Sequence, residues 1–116
     1  MTTSFEPALR RFAQSFAGAR EEFPFGPESA VAKAPNGKIF AIVSEGADGA
    51  RVSLKLTPVE AEEALTIPFV RPAPYLARYH WVMATVSNDA EFEITCLWIA
   101  RSFELVAAGK PARRQG

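Results

Sequence analysis

Apolar residues in the first twenty positions recur at the spacing of a helix. The intervals between them are four, three and four residues, which places them on one helical face. These residues are Phe5, Leu9, Phe12 and Phe16. The spacing predicts an amphipathic helix over residues 5–19.

From residue 29 the period changes to that of β-strands. Residues 30–34 and the nearly continuous apolar run of residues 38–44 predict two strands. Asn36-Gly37 between them predicts a tight hairpin turn with two positive-φ positions. Residues 51–56 alternate, so that one set of side chains faces the core and the other faces away. The core set is Val52, Leu54 and Leu56, and the outer set is Arg51, Ser53 and Lys55. The stretch therefore predicts a three-stranded antiparallel meander.

The second helix has a well-defined start. Thr57 is suited to the N-cap, Pro58 to the first helical position, and Glu60 completes a capping box. Three prolines follow, so the helix must end near Thr66 and residues 69–76 are predicted to be extended and stiff. The prolines are Pro68, Pro72 and Pro74.

The last third of the chain predicts a strand and a long helix. Residues 81–87 alternate between two sets of side chains, as in a strand. Asn88 then begins a helix, with Glu91 three residues later as a second capping box. The apolar stripe of this helix recurs at intervals of four, three, four and three residues. It consists of Phe92, Cys96, Ile99, Phe103 and Val106.

These elements predict an α+β protein with two layers. The order is α-β(3)-α-β(1-2)-α, in which helices back one face of an antiparallel sheet. A chain of 116 residues has the size of one domain and buries about two-thirds of its unfolded surface. We expect a single domain over residues 1–108 and a basic, flexible tail over residues 109–116.

The composition limits the partners. Thirteen basic and thirteen acidic side chains balance, so attraction to a polyanion or an anionic membrane must come from a local patch. One cysteine excludes an internal disulfide. No apolar stretch approaches the roughly 18 residues of a membrane span, and the first residues lack the features of a signal peptide. We therefore expect a cytoplasmic protein without a membrane partner.

Enzyme and metal sites lack the residues they need. His80 is the one histidine and Cys96 the one cysteine, too few for a histidine- or thiolate-based metal site. A Cys96–His80 nucleophile pair is conceivable, but Cys96 lies on the apolar stripe of the last helix, where free cysteine behaves as a small hydrophobic residue. No phosphate-loop, dinucleotide or nucleophile-elbow motif occurs. The sequence predicts no enzyme, no metal and no cofactor.

Two groups of residues are candidates for binding. Within residues 78–81, a strand would place Arg78 and His80 on one face and Tyr79 and Trp81 on the other. The ordinary interpretation is a core-edge tryptophan with the cations in water; the functional one is contact with phosphates, or an aromatic that stacks. The second group is the outer set with lysines on neighbouring strands, which is either a solvated sheet face or a basic surface. It comprises Lys33, Lys38, Arg51 and Lys55.

Over residues 5–108 the chain resembles the small bacterial MmcQ/YjbR proteins. Five segments carry the resemblance in order and spacing: Phe23–Pro27, Gly37–Ala41, Arg51–Lys55, His80-Trp81 and Ser102–Val106. The resemblance implies a helix-backed sheet related to secretion-chaperone-like folds, in agreement with the element order. It also implies DNA binding, because the shape of the family is similar to a double-wing motif of transcription factors.

The basic positions that fit the family pattern are expected to contact the phosphates of double-stranded DNA. They are Lys38, Arg51, Lys55, Arg78 and His80. The chain departs from the pattern just before His80. Members have a Gly-Tyr-His-like segment and then a basic residue, whereas this chain has Ala73-Pro74-Tyr75-Leu76 and then Tyr79.

Two alternatives remain open. A protein, a peptide or a second copy of the chain would bind exposed aromatic residues beside the stiff proline segment; the candidates are Phe69, Tyr75 and Trp81. A small ligand would bind in a pocket between the Phe23–Pro27 turn and the sheet, where Phe23 and Phe25 are expected to anchor the chain to the core. The zero net charge favours the first of these two.

Overall fold

The computed structural model describes residues 4–109, which form helices on one side of a six-stranded sheet. In chain order the elements are α1 (Glu6–Gln14), β1 (Arg20–Glu22), β2 (Ser29–Lys33), β3 (Ile39–Gly46), β4 (Gly49–Lys55), α2 (Pro58–Ala64), β5 (Val70–Pro72), a 3-10 helix (Ala77–Tyr79), β6 (Trp81–Val86) and α3 (Asp89–Ala107). The predicted α+β class and helix-backed antiparallel sheet are confirmed. The order gains one strand, β1. The tail predicted over residues 109–116 lies, from Lys110 onward, outside the described residues.

The strands follow the spatial order β1-β2-β3-β4-β6-β5, and every neighbouring pair is antiparallel. The meander predicted from residues 29–56 is its centre. The later strand β6 pairs with β4, and Lys55 lies opposite Trp81. Strand β5 then pairs with the outer edge of β6. Among residues 4–109, no helix is long and apolar enough to cross a membrane.

The two sides of the sheet differ in what covers them. We define the inner face as the side that α1, α2 and α3 cover. Its strand residues belong to the buried core: Ala32, Ala41, Val43, Ala50, Val52, Leu54, Val70, Val82, Ala84 and Val86. The opposite side is the outer face. It carries Arg51, Ser53 and Lys55, none of which is buried, and also Val31, whose side chain is completely buried. The inward orientation predicted for Val52, Leu54 and Leu56 is confirmed.

Aromatic rings fill the space between α1, α3 and β3. Phe16 stacks on Phe103 with ring centroids 4.6 Å apart, and both rings meet Phe40 edge-on. Phe40 is completely buried. This cluster explains why the apolar spacing of the two terminal helices predicts their inward faces correctly, although α1 ends at Gln14, earlier than predicted.

The capping box predicted from the sequence is complete at the start of α2 and only partly formed at the start of α3. At α2 the Thr57 hydroxyl accepts from the Glu60 backbone, while the Glu60 carboxylate accepts from the Thr57 backbone, so the predicted capping box is confirmed. At α3 the Asn88 side chain accepts from the Glu91 backbone. The Glu91 carboxylate, however, accepts from the backbone and hydroxyl of Ser87, not from Asn88.

Three local predictions are wrong. At the β2–β3 turn Gly37 has a positive φ but Asn36 does not; the Asn36 amide instead donates to the Val106 carbonyl of α3 at 2.8 Å. The segment predicted to be extended over residues 69–76 is a strand over Val70–Pro72 but then turns, with Tyr75 at a positive φ. Residues 77–79 form a 3-10 helix, so Arg78 and His80 do not share a strand face. In each case a side-chain hydrogen bond or a residue with a left-handed conformation determines the path of the backbone. The pattern of apolar and polar residues shows neither.

Candidate functional site

The outer face carries a row of cations that extends across the whole sheet. Four of the six strands contribute to it: Arg20 comes from β1, Lys33 from β2, Arg51 and Lys55 from β4, and Arg71 from β5. Each lies on the side opposite the core, as the pairing register requires. Six strands at about 4.8 Å spacing make the face roughly 24 Å wide. Glu22 is the one carboxylate among the outer-face residues of the strands, where it lies beside Val31. The face therefore has an excess of positive charge although the chain is neutral.

Most of these cations are free to bind an external anion. Lys33 is paired with Glu22 at 2.9 Å. Among residues 4–109, Arg20, Arg51, Lys55 and Arg71 take part in no salt bridge. By contrast, the inner side uses its cations internally, since Arg10 binds Glu21 and Arg101 binds Glu60.

One cleft lies at the end of the sheet where β4 finishes and β6 begins. It is lined by Lys38, Lys55 and Trp81. The cleft has a volume of about 350 Å³, and Ile39 together with the end of α3 completes its wall. It opens where the pairing of β3 with β4 stops, beyond Ala41 and Leu54. Two lysines and an indole ring thus meet at the border of the outer face. Arg51, four residues from Lys55 on the same strand, lies about 13 Å away.

Arg78 and His80 lie beside this border, in the segment that leads into β6. Both are exposed. The Arg78 guanidinium lies 4.9 Å from the centre of the Tyr79 ring, and the Lys55 ammonium donates to the Tyr79 carbonyl at 3.0 Å. The bond from Lys55 connects this segment to the outer face, so four of the five predicted phosphate-binding residues cluster at one end: Lys38, Lys55, Arg78 and His80.

The three aromatic residues considered for a protein partner have different surroundings. Phe69 packs against Trp98 at 5.8 Å between ring centroids and is half-buried. Trp81 is half-buried in the cleft wall. Tyr75 is 98% exposed. Only Tyr75 offers its entire ring to a partner.

The Phe23–Pro27 turn does not anchor the chain as expected. Phe23 and Phe25 are 43% and 67% exposed, so the expectation that they insert into the core is wrong. The Arg10 guanidinium lies 5.4 Å over the Phe23 ring instead. Because β1 pairs with β2 before this turn, the segment is a hairpin connection at the sheet edge.

Sequence reasoning missed two residues of the outer face, Arg20 and Arg71. Arg71 follows the buried Val70 and pairs with Met83, an outer-face position. Alternation from Val70 is the signal that could have identified it. Arg20 lies on β1, whose sequence Arg-Glu-Glu has no apolar residue to indicate a strand.

The described residues that could serve as metal ligands or as a nucleophile are not brought together. Among residues 4–109, no three His, Cys, Asp or Glu side chains are grouped to hold a metal ion. Cys96 is half-buried on α3, and burial, followed by the charge of Glu93, raises the pKa of its thiol. A raised pKa disfavours the nucleophilic thiolate, which fits a packing role for Cys96.

Comparison with known proteins gives one family and two related structures. The family model described as YjbR matches residues 14–105. The crystal structure of the Deinococcus radiodurans protein DR2400, with family-model domain DUF419, is similar with a TM-score of 0.74 and 26% identity, over 91% of this chain and 82% of that chain. A crystal structure of a Pseudomonas syringae protein, at 21% identity and a TM-score of 0.68, covers 86% of this chain and 97% of its own, and shows the fold alone. No curated protein matches the chain.

Proposed function

The chain belongs to the YjbR family, and from this premise we propose that it is a non-enzymatic protein that binds double-stranded DNA through its phosphates. The binding surface is the outer face of the sheet. The observation that supports this proposal is the charge of that face: five cations from four of the six strands, and one carboxylate. Lys38 and Arg78 extend the same charge beyond the strands of the sheet, and His80 lies exposed beside Arg78.

The dimensions favour an extended polyanion over a small anion. At 3.4 Å per phosphate, a face about 24 Å wide spans roughly seven phosphates of one DNA strand. Arg20 and Arg71 lie on the two edge strands, too far apart to hold one small ligand together. Phosphate contacts carry no sequence information, so the proposed binding is insensitive to base sequence.

The remaining properties of the chain agree with this role. The YjbR family is not a known enzyme family. The proposal also places the protein in the cytoplasm, where a single unpaired thiol such as Cys96 is ordinary. Because the net charge is zero, the whole-molecule field adds little attraction and the local face must supply the affinity.

Removing two outer-face cations tests the proposal. Arg51→Gln and Arg71→Gln together remove exposed charges that make no salt bridge among residues 4–109, so the fold should be unaffected. Binding to a 20-base-pair duplex, measured by fluorescence anisotropy between about 20 and 200 mM salt, should weaken. Each lost phosphate contact removes about 0.9 from the slope of log affinity against log salt. The slope of log affinity against log salt should flatten by about 1.8.

A matched variant separates the face from the overall charge. Arg11 is exposed on α1, on the helical side of the molecule, so Arg11→Gln should leave the slope unchanged, whereas Arg51→Gln should flatten it. Arg10 and Arg101 are unsuitable as controls because they bind Glu21 and Glu60. Absence of duplex binding at 20 mM salt, or equal loss in both variants, contradicts the proposal.

One observation favours a second candidate, self-association through the helical layer. Leu97 on α3 is 71% exposed, and Ile94, one turn earlier on the same helix, is also exposed. Two apolar side chains on one outer helical face favour contact with another apolar surface. Sedimentation of wild type and Leu97→Glu at increasing concentration tests this: a dimer that the glutamate abolishes supports it, and a monomer throughout rejects it.

A further inference from the structure

The segment between β5 and β6 contains a tyrosine at a position that suits glycine. The Leu76 N–H donates to the Ala73 carbonyl at 3.2 Å, which closes a four-residue turn. Pro74 occupies the second position, and Tyr75 the third with a φ of 65°. Proline followed by a positive φ is the pattern of a type II turn, whose third position is normally glycine or asparagine. Tyr75 is thus an unusual residue for its own backbone.

Contacts within the molecule do not compensate for this conformation. Left-handed backbone is unfavourable for residues with a Cβ, and most of all for bulky ones. A ring that is 98% exposed gains almost nothing from burial. The turn nevertheless has a defined geometry, because Ala73 is buried and its N–H donates to the Trp81 carbonyl at 3.2 Å, and Pro74 restricts its own φ. The fold therefore holds an aromatic ring outward in water.

Tyr75 lies in a stretch of the sequence that contains basic residues and no acidic ones. Between Glu63 and Asp89 the sequence has no acidic residue, while it includes Arg71, Arg78 and His80. His80 also has a positive φ, 68°. The Lys55 ammonium donates to the Tyr79 carbonyl, so the 3-10 helix that follows the turn is bonded to a residue of the outer face. An exposed aromatic ring next to cations is the combination by which proteins bind unpaired nucleotides, with bases stacked on rings and phosphates on cations.

We propose that Tyr75 is a base-stacking residue that receives an unpaired nucleobase of DNA whose phosphates lie on the outer face. This inference rests on the proposed function and narrows its substrate class. Bases inside a duplex already stack on neighbours at both faces, so a ring on a protruding turn can stack within a DNA molecule only where the stack is interrupted, as at an unpaired base. The preferred DNA is therefore a duplex with a bulge, an overhang or an adjoining single strand, without preference for base identity.

The test compares two duplexes that differ by one nucleotide. One is a blunt 20-base-pair duplex, and the other carries a single bulged 2-aminopurine whose fluorescence reports stacking. The wild type should bind the bulged duplex roughly 5- to 150-fold more tightly, the range expected for one stacked base, and should quench the 2-aminopurine. Tyr75→Phe retains the ring and should keep both effects.

Tyr75→Gly removes the ring and at the same time relieves the backbone. Its melting temperature should be at least that of the wild type and higher than that of Tyr75→Ala, so that loss of stacking is not confused with loss of folding. Its affinity for the blunt duplex and the salt slope should be those of the wild type, while the preference for the bulge and the quenching disappear.

The possible failures are distinguishable. If the wild type binds both duplexes equally, or if Tyr75→Gly keeps the preference for the bulge, the role of Tyr75 is overturned while phosphate binding by the outer face stands. If the wild type binds neither duplex at low salt, the proposed function fails and this inference fails with it.

Discussion

A single hydroxyl group, that of Ser102, links α3 to two strands of the sheet. Ser102 is completely buried. Its Oγ donates to the Phe40 carbonyl at 2.7 Å and accepts from the Lys55 N–H at 2.9 Å. These backbone groups lie where the register of β3 with β4 ends. The hydroxyl thus satisfies a donor and an acceptor that the sheet leaves unpaired, next to the lysine at the border of the outer face.

Ser102→Ala should destabilise the protein by about 1–3 kcal/mol, because it leaves buried backbone groups without partners. The higher helix propensity of alanine, worth up to about 0.5 kcal/mol, acts in the opposite direction and makes the measured loss a lower limit. Urea unfolding at 25 °C measures the change. A loss below about 0.5 kcal/mol, the usual range of a neutral surface substitution, would show that the bridge contributes little.

Thr95 provides the matched control on the same helix. It is also completely buried, but its hydroxyl has no hydrogen-bond partner among the described residues. Thr95→Val keeps the shape and removes a buried hydroxyl that makes no bond, so stability should stay constant or rise. Equal losses in the two variants would mean that α3 tolerates no change at either position, irrespective of hydrogen bonding.

At the scale of single residues, the sequence predicts well which apolar side chains are buried, but poorly which polar side chains are buried. The stripe of Phe92, Ile99 and Phe103 follows from spacing alone, because burial of apolar side chains is the main determinant of helix orientation. Ser102 lies on the same side of the helix but has no apolar signal. Its partner Phe40 is the extra residue of a β-bulge, because Ala32 pairs with Ala41 while the next residue, Lys33, pairs with Ile39. The sequence pattern does not show such a bulge.

At the scale of elements, α2 is held by one carboxylate shared between its own cap and α3. Glu60 accepts from the Thr57 N–H at 3.1 Å and from the Arg101 Nε at 3.0 Å. The hydrogen bond from the Thr57 backbone lowers the pKa of Glu60 below its ordinary value of 4.5, and the bond from Arg101 adds to this against the opposing effect of burial. The folded state therefore favours the ionised carboxylate.

The sign of the pH effect follows from this lowered pKa. A group whose pKa is lower in the folded state contributes stability above its unfolded pKa and loses it as the pH falls through the folded pKa. The wild type should thus exceed Glu60→Gln in stability near pH 6, and the difference should shrink below pH 4.5. Urea unfolding at several pH values measures it. A difference that stays constant or grows on acidification contradicts the assignment, and Glu62→Gln on the same helix controls for loss of a charge.

Elements with local start signals were predictable, and elements set by distant partners were not. The start of α2 follows from Thr57 and Pro58, whose effects are confined to the first turn of the helix. Strand β1 has no such signal, since three polar residues become a strand only by pairing with β2. The segment before β6 was predicted to be extended because of its prolines, yet Tyr75 and His80 adopt left-handed conformations that reverse the chain.

At the scale of the whole molecule, the net charge is zero, but within the described part of the chain the unpaired positive charges are concentrated on the outer face of the sheet. The sequence located part of this distribution of charge, because alternation placed Arg51 and Lys55 on the outer face. Alternation from Val70 could have placed Arg71 there as well, but nothing in the sequence placed Arg20, since β1 becomes a strand only by pairing with β2. On the inner side the cations Arg10 and Arg101 are paired with glutamates, and this pairing leaves the outer face with the excess.

This distribution of charge predicts that the same change of charge has different effects on the two sides. Glu22→Gln removes the outer-face carboxylate and frees Lys33 from its 2.9 Å ion pair. If the outer face holds DNA, duplex affinity should rise and the salt slope should steepen by about 0.9, one additional phosphate contact. Glu62→Gln adds the same net charge on the helical side and should change neither. Salt titrations of both variants distinguish the charge of the outer face from the net charge of the protein. An equal rise in duplex affinity in both variants means that attraction depends on net charge alone. No rise in duplex affinity with Glu22→Gln means that Lys33 does not contact the duplex.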